Sequence, residues 1–103
     1  MIQKIYSLLG LARRAGKITS GESQIEAMLK KGKGELLILA EDTPNIYKKY
    51  GKWAEDLDIP VWVVGKKQEL GIAIGLSPRS CILVMDEGFA KAILKLRSDA
   101  WKV

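Results

Sequence analysis

The 103-residue sequence contains no histidine and a single cysteine. The first absence removes the side chain that most often acts as a general base near neutral pH and as a metal ligand. The second excludes an internal disulfide, and the two together argue against a Cys/His zinc site. Cys81 itself stands in the apolar run Cys81-Ile82-Leu83-Val84-Met85, which reads as a buried strand carrying an inert thiol. No apolar run approaches the roughly 18 to 20 residues that span a bilayer. The first residues lack the charged, apolar and small-residue order of a secretory signal, so a cytoplasmic protein with no membrane partner is expected. A phosphate loop is missing too: Gly65-Lys66-Lys67 has neither the first glycine nor the hydroxyl residue that such a loop requires. There is no dinucleotide fingerprint, nucleophile elbow, internal repeat or linker. An enzyme is not expected, and neither is a cofactor or a metal.

What is present is an ordinary globular composition, 48% apolar and 28% charged, at the usual size of one domain spanning residues 1–103. The net charge is +5 and the isoelectric point about 9.4. Residues 1–34 hold seven basic side chains (Lys4, Arg13, Arg14, Lys17, Lys30, Lys31, Lys33) against two acidic ones, Glu22 and Glu26. That excess of five equals the whole net charge, so the remainder of the chain is neutral. One-sided positive charge is the footprint expected of a phosphate-binding face, although a solvated helix surface produces the same pattern.

Ile2, Ile5, Leu9 and Ala12 recur at helical spacing and predict a helix from about Ile2 to Ala15, ended by Gly16. Arg13 and Arg14 suit its last turn through the helix dipole. An extended piece, Lys17 to Ser20, leads to a second helix capped by Ser20 or Gly21, with Ile25, Met28 and Leu29 as its buried stripe. Leu36 to Ala40 reads as a strand covered on both faces. Thr43-Pro44 predicts a cap and first turn for a third helix whose apolar positions are Ile46, Tyr50, Trp53 and Leu57. Val61 to Val64 reads as another central strand. A short helix carries Leu70, Ala73 and Ile74, and after the loop Leu76-Ser77-Pro78-Arg79-Ser80 comes the strand Cys81 to Met85. A last helix, capped by Asp86, carries Phe89, Ile93, Leu94 and Leu96. Helices alternating with apolar strands predict an α/β protein, a three-layer α/β/α sandwich around a mixed sheet of about four strands. The acid pairs Glu41-Asp42 and Asp86-Glu87 each end a strand and are expected to start the helix that follows, by capping it or by favouring its dipole.

The segment Gly21-Glu22-Ser23-Gln24-Ile25 carries the functional reading. A helix start exposes unpaired backbone N–H groups and about half a positive charge, which suits phosphate oxygens. Ser23, Gln24, Ala27 and Lys31 share one side of that helix, roughly opposite Ile25 and Leu29. The Gln24 amide both donates and accepts, as reading a base edge requires.

Several blocks of the sequence resemble a known family. Ser20 to Ile25 with Lys31-Gly32, Leu36 to Asp42, Ile59-Pro60-Val61, and Leu70 to Gly75 look like the kink-turn-binding ribosomal-protein family L7Ae and L30e. Leu8-Leu9-Gly10-Leu11-Ala12 and Asp86-Glu87-Gly88-Phe89-Ala90 extend the likeness to its small bacterial paralogues, over nearly the whole chain. The resemblance implies an α/β/α fold and binding to a kink-turn, an RNA helix bent by a short bulge followed by tandem sheared G·A pairs. It places Gly21, Glu22, Ser23 and Gln24 in the major groove beside those pairs, with Lys31 on the same helix face. Tyr47 and Lys67 fall on flanking contact positions, and Leu76, Ser77, Pro78 and Arg79 on an apolar loop over the bulged nucleotides. Such a loop suits unstacked bases, which lie against apolar or planar surfaces. Where ribosomal members carry Asn, Glu and then Lys three residues later, this chain has Ser23, Gln24 and Ala27. The partners implied are structured RNA, ribosomal RNA included, and ribosomal proteins; DNA is not expected, and a monomer is. The alternative is a protein-interaction module docking on a translation factor or ribosomal protein, with Tyr47 and Trp101 as its exposed aromatics and Tyr50 and Trp53 in the core.

Overall fold

The computed structural model describes residues 2–100. Trp101, expected as an exposed aromatic, lies outside them. The elements in chain order are α1 (Ile2–Arg14), β1 (Ile18–Thr19), α2 (Glu22–Lys30), β2 (Leu36–Leu39), a π-helical turn (Tyr47–Gly51) running into α3 (Lys52–Asp56), β3 (Val61–Val63), α4 (Lys67–Ala73), β4 (Cys81–Val84) and α5 (Glu87–Ala100). The four strands form one mixed sheet in the order β1-β4-β2-β3. Strand β4 pairs antiparallel with both β1 and β2, whereas β2 and β3 run parallel.

Every residue of β2 and β4 is buried. Because successive side chains of a strand point to opposite faces, these two strands feed two separate cores. Leu36, Ile38, Ile82 and Val84 meet Ile5 and Leu9 of α1, Leu70 of α4 and Ile93 of α5 on one face. Leu37, Leu39, Cys81 and Leu83 meet Ile25 and Leu29 of α2, Tyr50 and Ala54 on the other. The result is the expected α/β/α sandwich. Burial pushes the Cys81 thiol up to about 12, well away from the thiolate form that reacts. No polar or charged side chain among the described residues is buried, so any ligand chemistry sits at the surface.

Three local expectations are corrected. The third helix does not start at Thr43-Pro44, because Asn45 adopts a left-handed backbone (φ 65°) that breaks the chain between the proline and the helix. The helix then opens as a π turn, whose wider winding rotates everything after it. Leu57 is therefore turned out, at 37% exposure, and Ile59 takes the core position at 4%. Strand β3 is an edge strand rather than a central one, with Val63 46% exposed. It pairs with β2 alone, and the Arg97 guanidinium of α5 donates to the Val61 carbonyl at 3.1 Å. Finally, Asp42 does not cap the helix that follows it. Its Oδ1 accepts the Lys67 backbone N–H at 3.0 Å, so it caps α4, while Asp86 caps α5 as expected by accepting from the Phe89 N–H.

Gly71 shows how tightly α4 and the loop after it are joined. A Cβ there would collide with the Ser77 backbone carbonyl, and the Leu76 N–H donates to the Gly71 carbonyl at 2.8 Å. Helix propensity alone would make Gly71→Ala stabilising by up to ~1 kcal/mol. Collision with backbone, which cannot rotate away, makes it destabilising by ~1–3 kcal/mol instead. Urea denaturation checks this, and an unchanged or higher midpoint would remove the steric account.

Candidate nucleic-acid interface

The register of the sheet explains how separate segments reach one place. Ile18 pairs with Val84 and Thr19 with Leu83, so the chain leaving β1 runs beside the chain entering β4. Leu39 pairs with Cys81, which brings the end of β2 to the same side, and the parallel pairing of Leu39 with Val63 brings the end of β3 there as well. Loop hydrogen bonds lock these ends together. The Ala40 N–H donates to the Ser80 carbonyl, Glu41 N–H to Gly65 and Arg79 N–H to Lys67, all at 2.8 to 3.0 Å. The Thr43 hydroxyl donates to that of Ser80 at 3.0 Å. Residues near 20–24, 41–43, 65–67 and 77–80 thus gather at one end of the sheet.

A cleft of about 420 Å³ opens there, and Ser20, Gly21, Gln24, Leu76, Arg79 and Arg13 are among the residues lining it. Helix α2 begins at its wall. Gly21 is the N-cap in an extended conformation, and no side chain caps the helix, so its first N–H groups face outward unpaired. Ser23, Gln24, Ala27 and Lys31 are all exposed, while Ile25 and Leu29 are buried, as the spacing requires. Gln24 folds back over Gly21, its Oε1 3.5 Å from where a Cβ on Gly21 would stand. A Cβ at position 21 would meet that amide at ordinary van der Waals distance.

Glu22, expected in the groove, points elsewhere. Its Oε1 accepts from the Lys49 ammonium at 2.9 Å and from the Tyr50 hydroxyl at 2.9 Å. The same hydroxyl stands 2.7 Å from Glu26 Oε2. A hydroxyl has one proton, so only one carboxylate accepts it at a time. Lys49 and then Tyr50 hold the Glu22 carboxyl below its ordinary range. Burial, followed by the two neighbouring carboxylates, pushes the Tyr50 phenol upward. Glu22 therefore fastens the first turn of α2 to the π turn. Sequence reasoning missed this role because Tyr50 reads simply as a core aromatic.

The remaining expected residues divide. Leu76 is half-buried against the α1/α4/α5 core, leaving Ser77 and Pro78 as the exposed part of the loop. Arg79 turns back on its own loop: Nη1 donates to the Ser77 carbonyl at 3.1 Å, the Ser77 hydroxyl at 2.7 Å and the Pro78 carbonyl at 3.2 Å. Lys67 is exposed as the first residue of α4, and Tyr47 is 40% exposed, its hydroxyl bonded to Glu55. Lys31 lies just past the far end of α2, roughly 13 Å along the axis from Glu22 at 1.5 Å per residue. The structure does not bring it to the cleft. Arg13, which does line it, was missed as a site residue because the dipole of α1 already accounts for a cation in that turn. Among the described residues, none of the seven basic side chains of the first third of the chain enters an ion pair. No cluster of three or more metal-ligating residues occurs among them, and no helix is long and apolar enough to cross a membrane.

Known structures place this architecture in a class. A protein of unknown function from Bacillus halodurans matches with a TM-score of 0.84 and 40% identity, over 90% of this chain and 95% of that one. The Giardia lamblia 15.5kD RNA binding protein shares the fold, with a TM-score of 0.78 and 23% identity over 93% and 87%. Both are α/β/α sandwiches of the same kind. The particular family follows from the sequence: residues 3–94 match the model of the ribosomal protein L7Ae/L30e/S12e/Gadd45 family, and the chain belongs to it. It is 34% identical to RNA-binding protein YlxQ of Bacillus subtilis, over 88% of this chain and 92% of that protein. It is 28% identical to large ribosomal subunit protein eL8 of Thermoplasma volcanium, over 90% and 78%.

The Glu22 contacts predict an acid dependence. A carboxyl lowered in the folded state contributes stability that is full above its ordinary pKa and lost as pH falls through the folded value. Wild type should therefore exceed Glu22→Gln in stability by its full margin above about pH 5, with the margin shrinking toward pH 3. Urea titrations at the two extremes test it. A margin that does not change with pH would mean that Glu22 is not the acceptor of Lys49 and Tyr50 in solution.

Proposed function

We propose that this chain is an RNA-binding protein that recognises a kink-turn, or a similarly kinked structured RNA, through the start of α2 and the loop 76–79. Its work lies with ribosomal or other translation-related RNA. The single observation that carries this reading is the cleft that unites the uncapped start of α2 with that loop. Family membership and the RNA-binding relatives support it.

In this reading the backbone N–H groups of Gly21, Glu22 and Ser23 meet phosphate oxygens, favoured by the positive end of the helix dipole. The Gln24 amide, which makes no hydrogen bond among the described residues, reads base edges opened by the kink. Pro78 and the exposed edge of Leu76 meet unstacked nucleotides, with Ser77 and Arg79 completing the loop. Tyr47 and Lys67 are flanking contacts, and Lys31 meets a phosphate further along the groove in which α2 lies. An RNA duplex is long enough for both ends of a nine-residue helix to touch it.

A second reading, docking on a translation factor or ribosomal protein, rests on a different observation. Leu11 and Ile72 are 50% and 70% exposed beside a groove between α1 and α4. Tight binding to a protein that ignores both RNA and salt would favour it.

Binding assays with a kinked RNA and the same duplex without its bulge test the first reading. Gln24→Ala should narrow the preference for the kinked RNA by ~1–3 kcal/mol. Lys31→Ala should weaken both RNAs and lower the slope of log affinity against log salt by about one unit. Equal losses on both RNAs for Gln24→Ala would remove its base-reading role, and wild-type protein that ignores folded RNA at low salt would sink the reading.

A further inference from the structure

Two guanidinium groups line the cleft, those of Arg13 and Arg79, and no carboxylate does. They are not equivalent. The Nη1 of Arg79 is spent on three oxygens of its own loop, and its Nε is enclosed without a partner. Such a group braces the segment from 77 to 79 and leaves only its Nη2 to a ligand. Arg13 is exposed, makes no ion pair or hydrogen bond among the described residues, and lines the cleft from the last turn of α1, as Gln24 does from the first turn of α2.

We propose that Arg13 is the phosphate-binding cation of this cleft, and that Arg79 is a brace that shapes it. The proposal rests on the RNA-binding reading and adds to it a contact from α1, an element outside the α2 start and the 76–79 loop. A guanidinium presents two parallel N–H groups that match two phosphate oxygens, and it keeps its charge at any physiological pH. The same cleft is lined by Gly21 and Gln24, at the uncapped start of α2. A phosphate in the cleft is then held by a planar cation and by helix amides. Ile18 and Gly16 also line the cleft and add no competing charge.

The helix dipole offers a purely structural account of Arg13, and the test separates the two. Wild type, Arg13→Ala, Arg13→Lys, Arg79→Ala and, as a control on α5, Lys95→Ala are titrated with one kinked RNA across a salt series. The melting temperature of each free protein is measured in parallel. Arg13→Ala should lose roughly tenfold or more in affinity at low salt, as a charge-assisted contact requires. Its salt slope should flatten by about one unit, with the free protein melting as wild type does. Arg13→Lys should recover the slope but not the full affinity, because a point charge replaces a bidentate fork. Arg79→Ala should lower the melting temperature of the free protein.

The assignment is overturned if Arg13→Ala follows Lys95→Ala in affinity and slope. It is also overturned if Arg13→Ala loses melting temperature alone, or if Arg79→Ala flattens the slope while melting normally. In those cases the RNA-binding reading stands as long as Gln24→Ala still erodes the preference for the kinked RNA. Wild type that binds no folded RNA takes both down together.

Discussion

Most of this molecule follows from the antiparallel pairing of β4 with both of its neighbours. With β2 and β4 at the centre and every side chain of both enclosed, the sheet needs cover on two faces. The pairing also decides which loops meet. Antiparallel neighbours bring the end of one strand to the start of the other, and the parallel β2–β3 pair adds a further strand end on the same side. Four segments far apart in sequence are thereby collected without any of them packing into the core. The surface they build can change residue by residue while the eight buried positions of the central strands stay fixed.

Around that frame, polar side chains act mostly as fasteners. Asp42 caps a helix that lies 25 residues downstream, and in doing so ties the end of β2 to the start of α4. Glu22 and Glu26 share the hydroxyl of Tyr50, whose ring fills the second core while its oxygen reaches α2. Exposed ion pairs such as Lys49–Glu22 are screened by solvent and contribute little, so their value lies in orientation more than in stability. The start of α2 is left with uncapped amides because its N-cap residue, Gly21, has no side chain to accept from them.

The fold was largely legible in the sequence, for a physical reason: period-two and period-3.6 apolar patterns report directly on burial. Ile5, Leu9, Ile25, Leu29 and the runs Leu36–Leu39 and Cys81–Val84 all lie where those patterns place them. The π turn was not legible, since one extra residue per turn leaves no mark in composition, and Leu57, expected in the core, is exposed while Ile59 is buried. The edge position of β3 was hidden too, because β-branched residues suit an edge and a centre equally well. For the candidate site, Gly21 and Gln24 were visible from their place at a helix start. Neither the turn of Glu22 toward Lys49 and Tyr50 nor the cleft-lining position of Arg13 could be read without the partners that only tertiary structure supplies.

The outer border of β3 has one more implication. A strand border left bare invites a second copy to add on, and proteins that work crowded along a polymer meet that hazard constantly. Here the border is three residues long, preceded by Pro60, with its first carbonyl already occupied by Arg97. Neighbouring molecules packed shoulder to shoulder should thus slide past one another rather than zip into a continuous ribbon.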